Sequence, residues 1–154
     1  MTTLHRWPRA ALIAAALTWN ALSAVAADPT DETAIRQVIL STWDKPEARV
    51  EVGPVVVAGN RAVAGWTQGQ RGGRALMARD QSGHWAVAAC GGDSLKDAKT
   101  LQSSGMSAAE ARQISASLAK AESAVPAARR ALFSTFDGLM RMDAAGHAAS
   151  GGRP

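Results

Sequence analysis

A chain of 154 residues with 47% hydrophobic residues, 5% aromatics and a formal charge of +4 has room for one substantial hydrophobic core rather than two. Its 17 basic side chains form no stripe and face 13 acidic ones, which argues against a nucleic-acid interface, where clustered cations and stacking groups are required. A single cysteine, Cys90, excludes an intramolecular disulfide, so the fold must hold by packing.

The first segment differs from the rest. His5, Arg6 and Arg9 precede an apolar run from Ala10 to Leu22, and the small residues Ser23 to Ala27 follow. Charged start, short apolar core and small-residue exit are the parts of a secretory signal. A spanning helix needs about 20 apolar residues, and this run is shorter. Residues 1–27 are therefore expected to be a signal peptide, cut before Asp28 or one residue earlier, with the periplasm as destination. The remainder keeps 15 of the basic residues and all 13 acidic ones, and no later segment approaches spanning length.

Residues 28–143 read as a single α+β domain. Asp28-Pro29 is a cap followed by proline at the first helical position, and Ile35, Val38, Ile39 and Trp43 repeat at helical spacing, predicting a helix over 29–44. The valine-rich run from Val50 to Val57 predicts a strand, with Gly53-Pro54 marking an edge or a bulge. Gly59-Asn60 is a hairpin signal. A returning strand spans 62–67, a loop 68–73, a third strand 74–79, a turn 80–83 and a fourth strand 84–90. Short connections make this a four-stranded antiparallel meander, able to bury one face under the first helix. A helix over 94–102 follows. Ser107-Ala108-Ala109-Glu110 then spells a capping box, opening a helix to Ser123. After Pro126 the helical pattern resumes to Phe136, and 139–143 is either a last short strand or an ordered tail. Residues 144–154 have nothing to bury and are expected to be disordered.

No catalytic constellation stands out, so the domain is read as non-enzymatic. His84 and Cys90 lie six residues apart on one predicted strand, on the same side but roughly 20 Å apart. The carboxylates are scattered. Soft ligands are the better lead: thiol and thioether sulfur select monovalent copper. Met140-Arg141-Met142 would present two thioethers on one side of an extended segment. The candidate metal set is Cys90, Met140, Met142 and His147. The bland alternatives are that Met77, Met106 and their like fill core gaps, and that Cys90 is a small buried hydrophobe. Trp43 and Trp66 are expected at the helix–sheet interface, Gly72-Gly73 in a turn, and Arg71, Arg74 and Arg79, flanking the third strand, on a solvated face, with an anion-binding or partner-docking patch as the alternative.

Several segments resemble the copper uptake system-associated proteins, a family of small exported bacterial proteins. They are Ile35 to Ile39, Thr42 to Glu47, Pro54 to Val57, Ala62 to Trp66, Gly72 to Leu76, His84-Trp85, Cys90 to Asp93 and Phe133 to Asp143. The likeness covers nearly the whole exported chain, in order. It implies a periplasmic protein encoded with copper acquisition genes, with a copper chaperone or receptor as partner. It implies no mechanism and no ligand set, and His147 is the only histidine near the end of the chain. The expected function is assistance to copper uptake, by holding Cu(I) transiently or docking to a copper carrier. The alternative is a binding module for a small apolar ligand or partner peptide, with no metal role.

Overall fold

A computed structural model describes residues 29–143; the expected signal peptide over 1–27, the expected cap Asp28, and residues 144–154 with the candidate His147 lie outside the described residues. The order is α1 (Pro29–Trp43), β1 (Val50–Ala58), β2 (Arg61–Gln68), β3 (Arg71–Arg79), β4 (Trp85–Gly91), a 3-10 turn (Asp93–Lys96), α2 (Ala98–Ser103), α3 (Ala108–Ser123), α4 (Ala127–Leu132) and β5 (Leu139–Arg141). The fold is α+β, and its antiparallel sheet runs β1-β2-β3-β4-β5. The sheet thus has five strands where the sequence suggested four. Leu139–Arg141 pairs with the free side of β4 after Gly138, whose φ of 72° turns the chain back.

Local chemistry accounts for the connections. Gly59, at φ 59°, lets Ala58 pair directly with Arg61. The stretch expected as a loop over 68–73 is instead a tight turn: Gln68 pairs with Arg71, so only Gly69-Gln70 lies outside the ladder and β3 starts at Arg71. Between β3 and β4 the Asp80 carboxylate accepts from the Ser82 and His84 amides at 2.8 and 2.9 Å, closing an Asx turn. Register slips between Val52 and Val55, leaving Gly53-Pro54 as the bulge expected of an edge strand. Arg36 donates to the Val52 carbonyl there, and Arg129 Nη2 donates to the Gly53 carbonyl at 3.1 Å.

Both faces of the sheet are covered, not one. On the first, Ile35 and Ile39 of α1 pack on Val52, Val57, Ala62, Ala64, Ala75, Met77 and Val87. On the second, Leu95, Leu101, Ile114 and Leu118 pack on Val56, Val63, Leu76 and Ala89. Strands flanked by helices on both sides lose the in–out alternation of a half-solvated sheet; in β3 every residue from Gly72 to Met77 is buried.

The helices after the sheet follow their caps. Ser107 and Glu110 form the reciprocal capping box expected at the start of α3. The segment read as one helix over 94–102 is divided, because the Asp97 carboxylate accepts from the Thr100 amide at 2.9 Å and starts α2 anew. α4 stops at Leu132, short of Phe136, where the Thr135 hydroxyl donates to the Leu132 carbonyl at 2.8 Å and also accepts from the Gly72 amide at 2.9 Å. No helix among the described residues is long and apolar enough to cross a membrane.

Two of the three arginines expected on a solvated face are engaged. Arg74 is 1% exposed and makes a bidentate pair with Glu122 of α3, at 2.6 and 2.8 Å. Arg79 pairs with Asp31 and lies 4.5 Å over the Trp85 ring. Arg71 is exposed as expected.

Candidate functional site

The register of the sheet builds a cavity. Val55, Ala64, Ala75, Cys90 and Met140 are successive cross-strand partners from β1 to β5, so their side chains share one face, the face that α1 covers. The middle of this row is two alanines. Both are buried in the core under α1, and beside them, at the Trp66 and Cys90 end of the sheet, a space remains that Ile39 and Trp43 of α1 line from above. The resulting cavity holds about 200 Å³, and its walls include Trp66, Phe136, Cys90, Met140 and Met142.

A second bulge aims Cys90 inward. β3 and β4 slip by one residue between Leu76 and Met77, because Leu76 pairs with Ala89 but Met77 with Val87, leaving Ala88 unpaired. The slip resets the alternation, so Cys90 shares the α1 face with Trp85 and Val87. The expectation that His84 and Cys90 fall on one side of an unbroken strand is therefore corrected. His84 is exposed, 3.9 Å from Asp80, and lines no part of the cavity.

Three of the four sulfur or imidazole candidates converge on this cavity. Cys90 is 4% exposed, and burial pushes its thiol up to about 12. It is protonated at neutral pH and a poor nucleophile. Met140, its register partner, is 44% exposed at the rim. Met142 is half-buried beyond it, its amide donating to the Ala88 carbonyl at 2.9 Å. His147, the fourth candidate, falls outside the described residues. Met77 and Met106 fill the cores on opposite faces of the sheet, as gap-filling methionines do.

Two anchors hold the roof. Gln68 Nε2 donates to the Trp43 carbonyl at 3.2 Å and the Ala48 carbonyl at 2.8 Å, tying the end of α1 to β2. Asp44, next in sequence, accepts from the Val50 amide at 2.7 Å and from Arg49 Nη1 at 2.5 Å. Its carboxyl lies below the usual value, chiefly through the Val50 bond, which with the Arg49 contacts outweighs desolvation.

The glycine pair expected in a turn lies inside β3 instead, and Gly73 makes room for the aromatic rings of the cavity wall. Gly73 is the partner of Trp66 across the β2–β3 ladder. A Cβ on Gly73 would stand 2.9 Å from Phe136 Cβ and 3.1 Å from Trp66 Cζ2. The Trp66 indole thus crosses β3 over the place a side chain would take, and meets Phe136 edge-on at 6.1 Å and 82°. Gly73→Ala should push this aromatic pair apart, lowering stability by about 1–3 kcal/mol and shifting tryptophan emission to the red. Denaturant titration followed by fluorescence would check this; unchanged emission would mean that the rings accommodate the methyl.

Among the described residues, no group of three or more His, Cys, Asp and Glu side chains could hold a metal ion. The donors that do converge are one thiol and two thioethers. Sequence reasoning found these sulfurs and set the first helix with Trp43 on the sheet, but missed Phe136 and the cavity that these residues enclose. The bulky aromatics near Cys90 were visible as residues, and their approach across Gly73 was not.

Compared with family models, with curated proteins and with solved structures, the chain matches none of them.

Proposed function

We propose that this chain is a non-enzymatic accessory protein of periplasmic copper uptake, which holds Cu(I) transiently and passes it to a copper carrier. The observation that carries the reading is the placement of Cys90 of β4, Met140 of β5 and Met142, just after β5, on the wall of one cavity. Polarizable sulfur suits a soft monovalent ion. A thiolate with Cu(I) is electrically neutral, which an apolar enclosure tolerates where it would resist a divalent ion. Met140 at the rim offers an incoming carrier a sulfur to exchange against, so the ion need not be released to water. Export rests on the signal pattern of residues 1–27, and the link to copper uptake on the sequence resemblance.

The test is retention of Cu(I), generated under ascorbate, by the purified protein against a bicinchoninate competitor. One equivalent is expected to be held, and Cys90→Ser should weaken binding by roughly 100-fold or more, beyond what loss of a mere supporting group costs. A wild-type protein that surrenders all its Cu(I) at the lowest competitor concentration would sink the reading.

A second reading is favoured by the aromatic and aliphatic character of the remaining wall, Ile39, Trp43, Val50, Trp66 and Phe136: a pocket for a small apolar ligand. It requires that an apolar fluorescent probe brighten on binding while Cu(I) is not retained.

A further inference from the structure

We infer that Trp66 is a specificity residue of this site, its indole capping Cu(I) across the cavity from the sulfurs by a cation–π contact. The inference rests on the copper reading above and adds a fourth contact to it. Cys90, Met140 and Met142 all come from β4 and the chain just beyond it in the sheet, so they approach an ion from one side of the cavity. Trp66 comes from β2 and lines the same cavity.

Three observations select Trp66. Its ring is directed across β3: the absent side chain of Gly73 leaves the indole Cζ2 lying over that strand, on the way to β4. The ring is held in place by the edge contact with Phe136, and Gly73 supplies the room for both. Its Nε1 is buried with no hydrogen-bond partner, although a buried N–H normally finds one. The ring is therefore placed by its carbon surface rather than by its donor. Trp85, by contrast, is already engaged, with the Arg79 guanidinium over its ring and Nε1 donating to Asp31 at 3.3 Å. Trp43 also borders the cavity, from the α1 roof, and is the rival ring that the experiment must separate from Trp66.

A desolvated cation–π contact corresponds to roughly 30-fold in affinity. Such a contact favours a compact monovalent ion with an open coordination position. A divalent ion seeking further hard ligands gains less from it.

The experiment uses the full chain and Cu(I) itself, with Ag(I) as a redox-silent probe, in wild type, Trp66→Phe, Trp66→Leu and Trp43→Phe. In wild type, one equivalent of either ion should produce a red-shifted indole absorption band and quench emission. Trp43→Phe should retain the band, and Trp66→Phe should lose it while still binding the ion through sulfur. Trp66→Leu should bind Cu(I) roughly 10- to 30-fold more weakly. If Trp66→Leu fails to fold, the band in Trp66→Phe decides the matter. Retention of the band in Trp66→Phe, or its loss in Trp43→Phe instead, overturns the role of Trp66 and leaves the sulfur site standing. A wild type that holds neither ion overturns both.

Discussion

Arg74→Met should destabilise the fold by about 3–5 kcal/mol, because it leaves a buried carboxylate without its counter-charge. Glu122 on α3 is buried, and the Arg74 guanidinium bonds both of its carboxylate oxygens. The reverse substitution is not equivalent. In Glu122→Gln the arginine keeps Asp93 at 3.2 Å, the Phe133 carbonyl at 3.3 Å and the Phe133 ring beneath it at 5.5 Å. Asp93 is more exposed and suited to that role. Partial burial pushes its carboxyl up, but the Ser134 hydroxyl, Lys96 and Arg74 together outweigh this and hold it below the ordinary value. Urea denaturation should thus rank Arg74→Met well below Glu122→Gln. The double replacement Arg74→Met/Glu122→Leu should recover most of the loss, since neither charge is then stranded. Near-equal losses in the two single variants would mean that the pair is more hydrated than its burial implies.

The affinity for Cu(I) should climb about tenfold per pH unit between pH 6 and pH 8, because binding displaces the Cys90 proton. The sign follows from the thiol. Burial in the cavity pushes it up to about 12, so the free protein is protonated throughout that range and each bound ion releases one proton. Acidification therefore favours release, and alkaline conditions favour retention. Cys90→Ser should be weak and nearly flat with pH. Met142→Leu should weaken binding while leaving the slope intact, because a thioether carries no proton to displace. Competition titrations at three pH values would separate these outcomes. A wild type with no pH slope would show that the thiol is not a ligand.

The fold and the candidate site were legible in the sequence to different degrees. Elements set by neighbouring residues were readable: α1 by its apolar spacing, the bulge at Gly53-Pro54, the Gly59 hairpin and the Ser107–Glu110 capping box. Gln68 to Gly73 misled because its glycines look like loop residues. Gly72 and Gly73 are there because Trp66, Leu132 and Phe136 come too close for a side chain, a demand made by residues up to 63 positions away. The same holds for Arg74, whose partner Glu122 is 48 residues on. A charged residue in a strand reads as solvent-facing until that partner is placed.

The sequence by itself determined the kinds of atoms available: one thiol, thioethers near the C-terminal end, a few large rings and the turns that divide the strands. Which of these meet was decided by the tertiary structure. The one-residue slip at Ala88 turns Cys90 toward α1, and the pairing of β5 with β4 sets Met140 beside it. Pairing register is a property of two strands at once, and a single-residue shift reverses the face of every side chain that follows. For that reason the sulfurs could be named one by one from the chain, but the cavity that collects them appears only when the sheet is assembled.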